Sequence, residues 1–197
     1  MGFRLNVEIT ANGKVLANAY YHWSGYTMTA LEITQAVLDN LSQASYQDDV
    51  INAVKLLETT EAALPEEEKD YLQKNVSGAD KVSFKDAVNR NKGLIAVSQK
   101  GIDETRLWED DRVTIDIQLQ TINFQAVAQY DSKKEYVNAR KEKGLSPFCK
   151  YIDIDFTKIP FGKFEEVKNF IENLPEEGVY GFETPDGKFW GLMDERF

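Results

Sequence analysis

An α+β fold, with a mostly antiparallel sheet built from hairpins and several amphipathic helices packed on it, is predicted by three observations. Runs of period-two alternation come in adjacent pairs joined by short turns. Apolar stripes at helical spacing lie between those pairs. Strands and helices do not alternate regularly, as they would in a doubly wound α/β chain. A chain of 197 residues is ample for one full hydrophobic core, and no fixed-period repeat or Gly-, Ser- or Pro-rich linker divides it, so a single domain over 1–197 is expected. Residues 42–92, helical and polar, read as an insertion or lid-like subdomain within it.

The first strand is expected over 3–10, where Phe3, Leu5, Val7 and Ile9 alternate with polar residues as in a half-buried strand. Asn12-Gly13 then supplies the two residues that tolerate the positive φ of a tight hairpin turn, and 15–21 returns as the second strand. The first helix starts just past Tyr26, with Thr29 and Glu32 as a capping box and Ala30, Leu31, Ile33, Val37, Leu38 and Leu41 as its stripe. A second helix over 47–59 carries Val50, Ala53, Val54 and Leu57 on one face, with Ser45 and Asp48 placed to cap it. Pro65 ahead of Glu66-Glu67-Glu68 marks a third, polar helix, and Ser83 with Asp86 a further brief one. Residues 94–98 form a compact apolar run; Lys100-Gly101 turns into a single helical turn around Trp108. Residues 113–117 and 122–126 are too closely connected for a parallel crossover and are expected as an antiparallel hairpin. A charged helix from Ser132 to about 143, a strand over 151–156, an amphipathic helix over 164–174 and a closing hairpin around Pro185-Asp186-Gly187 complete the order.

Composition narrows the functions open to such a fold. Hydrophobic and charged fractions of 42% and 28% lie near globular averages, so the chain is folded and not disordered. The net charge of −10 is spread evenly, at −3, −4 and −3 over 1–60, 61–111 and 112–197, which disfavours nucleic acid and anionic membrane as partners and lacks the density of a DNA mimic. No apolar run approaches the roughly 20 residues that span a bilayer, and the opening residues lack the features of a signal peptide, so a cytoplasmic protein is expected. Asn6 stands where myristoylation of Gly2 would need Ser or Thr. The single cysteine, Cys149, forms no intramolecular disulfide and reads as a buried thiol.

The chemical inventory is thin. There is no phosphate-binding glycine loop, no HExxH and no GxSxG, and one histidine with one cysteine does not build a zinc site. Asp116, Asp153 and Asp155 would share a sheet face if their strands were neighbours, but acids on the solvent side of a sheet are the simpler reading, so no metal or cofactor is expected. His22 with Ser24 has no acidic orienting partner nearby in sequence, and Gly25 ends the strand that would align them, so no catalytic residue is assigned. What remains is recognition at the strand-to-helix corner. His22, Trp23, Ser24 and Tyr26 place aromatics and donors there, and Arg4 and Arg90 are the cations best placed to join them. Trp108 and Trp190 read as core or hairpin-packing aromatics, and Trp23 as packed against the first helix.

The opening Met1-Gly2-Phe3-Arg4, the hairpin on Asn12-Gly13-Lys14, the Tyr21-His22-Trp23-Ser24-Gly25-Tyr26 stretch and the 89–117 run resemble small uncharacterised proteins encoded by phages and prophages of Gram-positive bacteria. Where such proteins often carry an Asp-Gly-Tyr-Pro turn, this chain reads Ser24-Gly25-Tyr26-Thr27. The resemblance implies an accessory protein acting in the cytoplasm of an infected cell, on host machinery or defence. Two functions follow as expectations. One is a non-enzymatic binding protein for a host protein. The other is a nucleotide-like small-molecule binder or hydrolase using Arg4, His22, Ser24 and Arg90, which requires those four side chains to converge on one pocket.

Overall fold

A computed structural model describes residues 3–41, 49–77, 93–130, 132–142, 155–173, 181–183 and 189–192. The order of elements is β1 Leu5–Ala11, β2 Lys14–Tyr21, α1 Thr27–Leu41, α2 Val50–Glu58, β3 Ala62–Ala63, α3 Glu66–Asn75, β4 Gly93–Ala96, α4 Gln99–Arg106, β5 Asp111–Asp116, β6 Thr121–Phe124, β7 Val127–Tyr130, α5 Lys133–Glu142, β8 Ile159–Pro160, α6 Phe161–Glu172, β9 Gly181–Glu183 and β10 Phe189–Leu192. Seven strands form one sheet in the order β3-β4-β2-β1-β5-β6-β8, and β7-β10-β9 form a second. This is the α+β, mostly antiparallel architecture predicted. Two pairs are parallel, β1 with β5 and β3 with β4.

The β1–β2 hairpin closes as its turn residues dictate, with Asn12 at φ 51 and Gly13 at φ 71. Leu5, Val7 and Ile9 pair with Tyr21, Ala19 and Ala17, and a bulge follows between Ile9 and Thr10. The expectation of a half-buried first strand is overturned: all seven residues of β1 are buried. The cause is its position. With β2 on one side and β5 on the other, β1 is central, and both faces of it are covered. Leu5, Val7, Ile9, Ala17, Ala19, Tyr21, Val113 and Ile115 supply one face to a core completed by Ala30, Leu31 and Val37 of α1, Val54 and Leu57 of α2, and Phe164 and Val167 of α6. The opposite face carries Asn6, Glu8 and Asn18, covered by α4 and the loop after it.

Several boundaries differ from expectation for identifiable reasons. Helix α1 begins at Thr27, whose hydroxyl donates to the Ala126 carbonyl at 2.7 Å, so Thr29 and Glu32 fall inside the helix. Helix α2 is capped by Asp49, which accepts from the Asn52 amide at 2.8 Å; the expected caps Ser45 and Asp48 lie outside the described residues. The expected single turn around Trp108 is instead α4, two turns long, ending before it. Ser98 caps α4 by accepting from the Gly101 amide at 3.0 Å. Gly101 leaves room for the Glu68 carboxylate: a Cβ there would stand 2.1 Å from Glu68 Oε1, which would have to shift. The strand expected over 122–126 breaks after Phe124 and resumes as β7 in the second sheet.

The described part of 42–92 shares the main sheet and core, through β3 and through Ala53, Val54, Leu57 and Leu72. The brief helix expected at Ser83–Asp86, Cys149 and Asp153, the closing turn at 185–187 and residues 151–154 of the strand expected over 151–156 lie outside the described residues; Asp155 and Phe156, at the end of that expected strand, are not in a strand. Among the described residues no helix is long and apolar enough to cross a membrane.

Candidate functional site

On the α4 face of the sheet the strands turn polar, and side chains there are joined rather than solvated. Glu8 is 2% exposed and its Oε1 accepts from Arg106 Nε at 2.6 Å, with Arg112 Nε 3.8 Å away. Arg112 also donates from Nε to Glu109 Oε2 at 3.0 Å, and from its Nη2 to Glu109 Oε1. Asn6 donates to Glu109 Oε2 at 2.8 Å, and Asn18 donates to Asn6 Oδ1 at 2.9 Å and to Thr105 Oγ1 at 2.7 Å. A buried carboxylate held by two guanidiniums loses much of its desolvation penalty. The network therefore fixes where α4 lies on the sheet.

Beside the network the same face opens into a groove of about 550 Å³. Helix α3 lines it with Glu67 and Glu68, and α4 with Gly101, Glu104 and Thr105. Strands β2 and β4 contribute Tyr20, Leu94 and Ala96; Tyr20 and Leu94 are register partners. Arg4, His22 and Trp108 complete the lining. Glu68 binds α3 to the start of α4, its Oε2 accepting from the amides of Val97 and Ser98 at 2.9 and 2.8 Å and its Oε1 from Ser98 Oγ at 2.8 Å.

Two of the residues expected at a site, Arg4 and His22, come together in this groove. Arg4 is engaged: its amide donates to Asp110 Oδ2 at 2.9 Å, its Nε lies 3.4 Å from the same oxygen, and its guanidinium sits over the Trp108 ring, 5.8 Å from the centroid. His22 is exposed, with Nδ1 3.0 Å from the Tyr20 hydroxyl. Burial pushes the Tyr20 pKa above its ordinary value, against the lowering effect of Arg4.

The other expected residues do not line the groove. Trp23 is 57% exposed and meets His22 edge-on at 4.8 Å, so it does not pack into the first helix as expected. Ser24 is half-buried, and Tyr26, also half-buried, lies against Phe3 with ring centroids 5.2 Å apart. Gly25 closes this corner: its amide donates to the Phe3 carbonyl at 3.0 Å, and a Cβ would meet Phe3 at 2.9 Å. Arg90 lies outside the described residues. Trp108, expected as a packing aromatic, is 61% exposed at the groove. Sequence reasoning missed Glu67, Leu94 and Glu104. No local signal marks them: Leu94 opens an apolar run that reads as a buried strand, and Glu67 and Glu104 read as solvated helix charges.

Asp116 and Asp155 are each spent on local turns, Asp116 accepting from Gln118 and Leu119 amides and Asp155 from Thr157. Among the described residues no group of three or more His, Cys, Asp or Glu side chains is placed to hold a metal ion. Comparisons with protein-family models, with curated proteins and with solved structures find no match.

Proposed function

We propose that this chain is a non-enzymatic binding protein whose groove between α3 and α4 takes a segment of a partner protein, in keeping with an accessory factor directed at a host or defence component of an infected cell. The observation that carries this reading is the gathering of apolar surface at one polar-walled groove. Trp108 and Leu94 line it at 61% and 38% exposure, Trp23 stands against His22 at its end, and Leu107, 79% exposed, adjoins Trp108. Exposed aromatics concentrated at a concave site are characteristic of binding surfaces. Reaction chemistry has little to work with there, since His22 is partnered by Tyr20 and Ser24 is elsewhere.

A nucleotide-like ligand is the second reading, favoured by Arg4 and His22 lining the same groove. Charge weighs against it. Arg4 is already paired with Asp110, and Glu67, Glu68 and Glu104 oppose an anion. The test compares wild type and Trp108→Ala in affinity capture from host cells alongside thermal shift with nucleotides. A defined protein partner retained by wild type and lost by Trp108→Ala supports the binding-protein reading. A nucleotide-specific shift abolished by His22→Ala, with no Trp108-dependent partner, overturns it.

A further inference from the structure

The occupant's chemistry can be read from the groove walls. Resting on the binding-protein reading above, we propose that the groove recognises a partner segment in which a lysine or arginine stands beside an apolar side chain. Three carboxylates line it, and their states differ. Glu68 is consumed by the Val97 and Ser98 amides and the Ser98 hydroxyl. Glu67, exposed on α3, has no hydrogen bond or ion pair among the described residues. Among the described residues Glu104 on α4 has only Lys100, 3.7 Å away, with side chains 63% and 85% exposed, an arrangement that holds neither side chain firmly. Arg4, the one arginine in the lining among the described residues, is neutralised by Asp110 and laid over Trp108. Among the described residues the groove thus presents loosely committed negative charge on both helical walls beside the exposed apolar surface of Leu94 and Trp108.

That combination selects a cation attached to an apolar neighbour. A cation alone would gain little at such exposed carboxylates, and an apolar side chain alone would leave them unused. Adjacent placement lets the apolar group cover the Trp108 and Leu94 surface, lowering the local dielectric around the ion pair with Glu67 or Glu104. A second copy of this chain is a poor occupant, because its own charge of −10 meets an acidic groove.

The probe is a synthetic decapeptide alternating leucine and arginine, set against the same peptide with glutamate and with glutamine in place of arginine, titrated by tryptophan fluorescence and calorimetry. Wild type should bind the arginine peptide, and the glutamate peptide should not bind. The double variant Glu67→Lys/Glu104→Lys should weaken binding about tenfold or more, while Glu32→Lys/Glu166→Lys, with the same change in net charge on α1 and α6, should change it less than about threefold. Equal losses in the two double variants would mean attraction to bulk charge and overturn the proposal. Trp108-dependent binding of the glutamine peptide at equal strength would overturn the cation preference and leave the binding-protein reading standing. No peptide binding, together with a nucleotide-specific response at His22, would overturn both. Concentration-dependent self-association abolished by Trp108→Ala would assign the groove to a second copy and likewise overturn the proposal.

Discussion

The two faces of the seven-stranded sheet are built on opposite principles from the same strands. One face of β1 and β2 is Leu5, Val7, Ile9, Ala17, Ala19 and Tyr21 against helices; the other is Asn6, Glu8 and Asn18 against α4. The apolar face gains from burial without regard to direction, each large side chain contributing about 1.5–3 kcal/mol. The polar face gains far less per group, because each hydrogen bond replaces one to water. It does something the apolar face does not. Directional partners allow α4 one position only, and the groove is built from that position. Stability and specificity are thus separated onto two sides of one sheet.

The largest effect expected from breaking this division is on the apolar side. Phe124→Ala, at a fully buried residue, should cost about 3–5 kcal/mol in a denaturant melt. Glu8→Ala should cost less, about 1–3 kcal/mol, because Arg106 and Arg112, left without it, are about 30% exposed and can turn to water. Equal losses at the two positions would show that the polar face carries stability after all. Glu68→Ala removes three hydrogen bonds from the start of α4 and should cost about 1–2 kcal/mol, read in the melt and as faster exchange of the Val97 and Ser98 amides.

Asp111 sharpens the comparison from another direction. It opens β5 in register with Leu5, and burial, reinforced by Asp110 and Glu109, pushes its carboxyl from 3.8 up to about 7. The folded chain then holds this proton between pH 3.8 and about 7 while the unfolded chain has released it, so the contribution of Asp111 to stability falls as pH rises through that window. Asp111→Asn should therefore be more stable than wild type at pH 8, by on the order of 1 kcal/mol, with the gain vanishing near pH 4. Trp108→Ala should be the mildest, within about 0.5 kcal/mol in stability, as expected for an indole that mostly faces water.

The hairpins and helices were legible because their signals are local. Asn12-Gly13 specifies a turn whatever surrounds it, and the stripe from Ala30 to Leu41 specifies a helix face. The parallel pairing of β1 with β5 was not legible, since its partners are about a hundred residues apart and no short-range pattern links them. That one pairing misled the reading of both faces. Asn6 and Glu8 look solvated in a strand taken as half-buried, whereas in a central strand they are the anchor of α4. Helix α4 itself was obscured by Gly101, which lowers helix propensity and whose justification, the carboxylate of Glu68, sits 33 positions earlier. The site was half legible for the same reason. Arg4 and His22 flank the first hairpin and were named as candidates, but Glu67, Leu94 and Glu104 join them in the groove only through the tertiary fold.

Glu68 has a further consequence. Helix α3 offers the apolar core little beyond Leu72, and α4 little beyond Ile102; α4 is held to the sheet by its polar contacts, whereas α3 has no such network among the described residues. One carboxylate splices the first turn of α3 to the amides that precede α4. Local opening proceeds in cooperative units at free energies below that of global unfolding, and a shared carboxylate couples the two segments it joins. Loss of that one carboxylate is therefore expected to release both walls of the groove together, since the same side chain holds one to the other.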